Sequence, residues 1–171
     1  CFDRQFFFLG AGFLLLETRT IAQLALLFGT TWRVSGMAIA GILGLILLAN
    51  VLIDRFGSLN PRTLYGILGL ALILNYIVPS SIGFACGTSG MALEAMFLAL
   101  PLLFAALIFA SSIANREHLP TVLASNLVGA VLGGVLENLS LVIGISGLSL
   151  VAIGVYAVSY RSERVTTTEV S

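Results

Sequence analysis

"GAGFLLLETRTIAQLALLFGTTW" occupies residues 10–32. The stretch is apolar and long enough to cross a bilayer, because about 20 helical residues cover the ~30 Å hydrocarbon layer. Its middle, however, carries Glu17, Arg19 and Gln23. A charge at the centre of a lipid-embedded helix costs about 2.5–3.5 kcal/mol on insertion scales, so such side chains turn toward other helices and take a partner. The stretch therefore predicts a spanning helix with one face looking into a bundle.

The rest of the chain agrees. Of 171 residues, 58% are hydrophobic and 9% charged, where a soluble domain carries roughly 25% charged residues. Apolar runs of spanning length recur between short polar interruptions, and the alternating ten-residue strands of a membrane barrel are absent. All eight basic residues are arginine and the formal net charge is zero, so no basic tract offers a nucleic-acid surface. Cys1 and Cys86 are too few and too distant for a metal cluster or a disulfide framework.

Six spans are expected, at Phe6–Phe28, Trp32–Ile53, Leu64–Val78, Ala92–Ile113, Pro120–Ile143 and Ser146–Tyr160. Their boundaries follow the punctuation "GTTWR", "DRFGSLNPR", "PSSIGFACGTSG" and "ANREHLP". Pro120 suits the first turn of a helix, where its missing N–H costs nothing. Six crossings gather Arg4, Arg55, Arg62, Arg116, Arg161 and Arg164 on the side of the termini and leave Arg33 opposite. That asymmetry predicts cytoplasmic termini. Residues 1–160 read as one six-helix transmembrane domain in contact with the lipid bilayer, and 161–171 as a polar, disordered cytoplasmic tail. The "IGFACGTSG" stretch reads as a loop, with a small re-entrant turn as the alternative.

Two constellations stand out within the spans. In the first, Glu17 lies at the midpoint, and Gln23 follows Arg19 by four residues on the same face. Glu17 is read either as lining a polar cavity that takes a cation or a proton, with Arg19 tuning its charge, or as half of an interhelical ion pair. In the second, "SNLVGAVLGGVLENLS", Ser125, Gly129, Gly133 and Glu137 recur every four residues, as do Asn126, Ala130, Gly134 and Asn138. Such a face permits close backbone approach, so Gly129, Gly133 and Gly134 are read as packing residues. Glu137 and Asn138 are expected to emerge from that seam, with Glu137 paired to Arg19 or, failing that, Arg33. Glu94 reads as a solvated charge at a helix start, and His118 as an ordinary loop residue. Asn50 and Asn75 are expected to be satisfied by neighbouring helices.

No Gly-x-Gly-x-x-Gly after a strand, Walker A loop, His-Glu-x-x-His or Gly-x-Ser-x-Gly occurs, so no catalytic residue, metal ligand or cofactor is assigned. A Cys start without a signal-peptide pattern reads as a segment of a longer protein.

At "FFFLGAGFLLLETRTIAQLALLFGTTW" and "SNLVGAVLGGVLENLSLVIG" the chain resembles the membrane portion of bacterial spermidine synthase-like proteins. The resemblance runs over residues 5 to 160 and centres on Gly12, Phe13 and Glu17 followed by the Gly-Thr-Thr-Trp turn. It implies an all-α bundle similar to half of a major-facilitator-type fold, an inner-membrane location, and an attached soluble aminopropyltransferase-type domain or partner subunit. It also implies a link to polyamines. Glu17, Arg19, Gln23, Glu137 and Asn138, read from their places in the spans, are the candidates for meeting a solute such as a polyamine or a proton, or for forming ion pairs. The alternative is a structural scaffold held through the glycine seam.

Overall fold

The computed structural model describes residues 2–29, 31–57, 60–77, 87–114, 116 and 118–169, without the side chains of 87–89, 91–92 and 163–169. They form six helices: α1 Arg4–Phe28, α2 Trp32–Phe56, α3 Pro61–Ile77, α4 Gly87–Ile113, α5 Leu119–Glu137 and α6 Ser140–Glu169. Local chemistry sets the ends. The Asp3 carboxylate accepts the Phe6 N–H and the Thr31 hydroxyl accepts the Val34 N–H, which serves donors that a helix start leaves unpaired. Gly57 closes α2 at φ 76°, and its N–H reaches the Ile53 carbonyl. Pro120 lies in the first turn of α5, as the sequence predicts.

Five of the helices are long and apolar enough to cross a membrane, and α3, with 17 residues, is shorter. Large apolar side chains cover the outside: Trp32, Met37, Leu43 and Leu47 on α2, Leu127 and Val131 on α5, Leu70 on α3. Water would not tolerate so continuous an apolar surface, whereas lipid is its natural solvent. The chain is an all-α, polytopic, membrane-embedded bundle.

Helix packing has a simple plan. α1 packs against α2, α4, α5 and α6, while α3 packs chiefly against α4 and α6. Thus α1, α4, α3 and α6 close a ring of four in which α1 and α3 face each other. α2 and α5 pack on its outside. Phe6, Leu9 and Leu16 of α1 join Leu68 and Leu72 of α3, Leu102 and Ile108 of α4, and Ala152 and Tyr156 of α6 in the core. On α6 the inward stripe Ser149, Ala152, Tyr156, Ser159 has the three-then-four spacing of one helical face.

The α1–α5 seam explains the glycines. A Cβ at Gly129 would strike the Phe7 carbonyl oxygen, one at Gly10 the Asn126 carbonyl oxygen, and one at Gly133 would lie 2.6 Å from the Ala11 oxygen. Asp3, Phe7 and Ala11 meet Ser125, Gly129 and Gly133 in turn, so α1 and α5 run parallel, as six alternating crossings require. Gly134 is looser, facing only the tip of Leu14 at 3.3 Å.

Two expectations are corrected. The fifth span ends at Glu137 instead of Ile143, because Asn138 and Leu139 form a turn and Gly144 breaks the following helix at φ 78°, ψ 164°. The apolar "LVI" of residues 141–143 belongs to that connection and is exposed. The expected disordered tail is helical through Glu169: it holds neither Gly nor Pro before that point, and extending a formed helix costs little. The fourth helix begins at Gly87, and its spanning part, Leu93–Ile113, matches the expected Ala92–Ile113. Residues 78–86, which hold most of the expected loop or re-entrant turn, lie outside the described residues, as do Cys1 and Glu117.

Candidate functional site

Two polar layers lie inside the four-helix ring. The first closes the end where α1, α3 and α5 begin and α4 and α6 finish. Asp3 pairs with Arg116 at 3.5 Å, and Arg116 Nη2 donates to Gln5 Oε1 at 2.7 Å. Gln5 Nε2 donates to Ser112 Oγ at 3.4 Å, and the Gln5 carbonyl accepts from Ser159 Oγ at 3.2 Å. Ser159 in turn shares a 3.0 Å hydrogen bond with Tyr65, and the Asp3 N–H donates to Ser125 Oγ at 3.0 Å. Arg116 also lies over the Phe6 ring at 5.5 Å. Five helices are thereby tied at one end, near Arg4, Arg62 and Arg161, by fully partnered groups. This layer reads as a structural lock.

The second layer lies deeper and is built differently. Pro101 sits inside α4. It has no N–H to give the carbonyl four residues back, which is that of Phe97. Asn75 supplies the missing donor, its Nδ2 reaching the Phe97 oxygen at 2.9 Å. The same asparagine holds Arg19: Nη1 donates to Asn75 Oδ1 and Nη2 to the Asn75 carbonyl, each at 3.3 Å. α3 ends two residues later at Ile77, so that carbonyl is among the last four, which have no intrahelical donor. The guanidinium therefore sits at the negative end of a helix dipole. Arg19 is 1% exposed and reaches across the ring from α1 to α3.

Around this clamp lie polar atoms without a protein partner: Arg19 Nε, Gln23 Oε1, both Glu94 carboxylate oxygens and Ser149 Oγ. Their heights follow from the helices. Gln23 is four residues beyond Arg19, and Glu94 three before Phe97 on the antiparallel α4, so both stand about 5 Å farther from the Asp3–Arg116 lock. Tyr156 packs its ring on Gly12. Ser149, seven residues earlier on the antiparallel α6, comes level with Arg19 by the same rise per residue. Tyr156 carries a further unpartnered buried hydroxyl, one level nearer the lock.

The residues singled out in the sequence are thus divided. Arg19 and Gln23 face inward together, as their spacing predicts. Glu17 is half-buried on the flank between Phe13 and Ile21, and outside the Arg19 clamp. The expected Glu137–Arg19 pair is not formed: Glu137 ends α5, and Arg19 is committed to Asn75. Arg33 is exposed at the start of α2 and does not pair with it either. Asn138 donates to the Val135 carbonyl at 3.1 Å and so closes its own helix. Asn75 is satisfied across helices as expected, but Asn50 bonds the Ile46 carbonyl of its own helix. Glu94, read as a solvated helix-start charge, has both oxygens buried instead, because it continues the inward stripe of Leu98, Leu102 and Ala105. His118 precedes α5 and is exposed.

Pro101 and Glu94 are the residues sequence reasoning missed. A proline four residues after a carbonyl inside an apolar helix is a readable signal that some neighbour must supply a donor. Among the described residues no three His, Cys, Asp or Glu side chains group as metal ligands. In comparisons with known proteins, no family model, curated protein or solved structure matches the chain.

Chemically, the layer offers carboxylate and amide oxygens as acceptors, one hydroxyl, and the guanidinium Nε–H as a donor. Such atoms, closed off from water and unpaired, are expensive to keep. Their combination suits recognition of a small polar solute.

Proposed function

We propose that this chain is the membrane domain of a bacterial spermidine synthase-like protein, which carries an attached soluble aminopropyltransferase-type domain or partner subunit and binds a small solute with a cationic nitrogen. A polyamine is the solute that the resemblance implies. The observation that carries the binding reading is the Glu94 carboxylate, buried with no donor on either oxygen. An ammonium offsets the desolvation of such a group by opposite charge and by N–H donors. Gln23 Oε1 stands at the same level to share the ammonium, and Ser149 Oγ lies about 5 Å nearer the lock. Catalysis is assigned to the attached domain and not to these helices. In this reading the protein spans the inner membrane with both termini cytoplasmic, the arginine-rich end inside.

Reconstituted vesicles test the solute. Radiolabelled spermidine should accumulate or exchange above empty vesicles, and Glu94→Gln should abolish the signal while the variant still inserts and remains monodisperse. Uptake equal to empty vesicles removes the transport step. Unchanged uptake in Glu94→Gln removes Glu94 as the binding group.

The second reading, a scaffold without transport, draws on the α1–α5 seam, where backbone meets backbone at Gly10, Gly129 and Gly133. It predicts that substitutions in the seam release the attached domain or subunit, and that Glu94→Gln has no effect on solute flux.

A further inference from the structure

The second layer holds two opposite charges that do not meet. The ion pair formed among the described residues is Asp3–Arg116, so Arg19 and Glu94 stand more than 4.0 Å apart. Each is left incomplete in its own way. Arg19 spends one N–H of each terminal nitrogen on Asn75, and its Nε, buried, has no acceptor at all. Glu94 has two acceptor oxygens with no donor, and Gln23 contributes a third. The two sets are also displaced along the bundle, since Glu94 and Gln23 lie about 5 Å farther from the lock than the level of Arg19 and Phe97. α1 and α4 pack directly on one another, and Asn75 links Arg19 to the Phe97 carbonyl, three residues from Glu94 on α4.

We infer that this layer binds a small zwitterion lying along the bundle axis, its anionic group on Arg19 Nε and its ammonium among Glu94 and Gln23 Oε1. The inference rests on the reading that the layer takes a cationic nitrogen, and it narrows that reading. A solute with only positive charge leaves the arginine N–H unserved and sets a second cation beside it. A solute with only negative charge does the same to the carboxylate. A zwitterion pairs both, so that no net charge is added to a site shielded from water. Ser149 Oγ, able to donate or accept, serves either end.

Calorimetric titration of the purified chain in phosphatidylcholine nanodiscs decides the matter. The probes are ω-amino acids of two to six carbons, with the matching diamines, alkylamines and carboxylates. One length of amino acid should bind at least about tenfold more tightly than its singly charged counterparts, the size of one charge-assisted hydrogen bond. Arg19→Gln should erase the preference over the alkylamine, and Glu94→Gln the preference over the carboxylate. If either variant fails to fold, the rank order in the unaltered chain still decides. Diamines binding as tightly as the amino acids would overturn the zwitterion and leave the cationic reading standing. Amino acids no tighter than alkylamines would do the same. Absence of binding by every probe overturns both.

Discussion

Replacing Asn75 by leucine tests the structural logic of the second layer, because one side chain there serves two groups. Its Nδ2 replaces the donor that Pro101 withholds from the Phe97 carbonyl, and its Oδ1 accepts from Arg19. A buried carbonyl left without a donor costs about 1–3 kcal/mol, and a hydrogen bond to a charged group contributes about 1.5–3 kcal/mol. Interhelical hydrogen bonds measured within bilayers are smaller, about 0.6 kcal/mol on average and up to about 1.7, because the separated helices find other partners in lipid. The expected loss for Asn75→Leu is therefore about 1–3 kcal/mol. Pro101→Ala returns an N–H to residue 101 and lets the helix satisfy Phe97 itself. In that background Asn75→Leu should cost about 1 kcal/mol less, which is the coupling a double-mutant cycle reads. Unfolding in mixed micelles titrated with dodecyl sulfate, followed by circular dichroism, supplies the four free energies. Additivity within about 0.3 kcal/mol would refute the claim that Asn75 answers the proline.

The glycines should divide sharply. Gly129→Ala places a methyl group against the Phe7 carbonyl oxygen and should destabilise the fold by about 1–3 kcal/mol. Gly154→Ala meets nothing within 4 Å and should be neutral or stabilising by up to about 1 kcal/mol in the same dodecyl sulfate titration. At the lock, Asp3→Asn should cost no more than about 1 kcal/mol, since the pair is partly solvated. Gln5→Leu should cost more, because Gln5 is buried and its side chain bonds both Arg116 and Ser112. A larger loss for Asp3→Asn in that titration would reverse the ranking. Orientation is checked by labelling single cysteines in intact cells: with Cys1 and Cys86 replaced by serine, Thr31→Cys should react with a membrane-impermeant maleimide and Asn60→Cys only after lysis.

What the sequence reveals and what it conceals follow from the range of each interaction. Helix existence is local: a run of apolar residues closed by Gly, Pro or Asn announces each of the first five elements, and all six helices appear where apolar runs stand. The inward face of α1 is local too, because Arg19 and Gln23 fall four residues apart. The end of the fifth helix is hidden in the sequence because "LVI" at 141–143 continues its apolarity, and only the turn at 138–139 and the positive φ of Gly144 show the chain leaving the helix. Arg19's partner is not local at all. It lies 56 residues away on a helix that α1 does not chiefly pack against, and it is fixed by Pro101 on a third helix. Glu94 shows the same limit from the other side. Its position near a helix start argues for solvent, but α4 begins at Gly87, two turns earlier than the charge, and the inward stripe then carries the carboxylate inside. The two charges most costly to bury thus meet the interior for reasons of packing, and the candidate site exists because the ring gathers them without letting them pair.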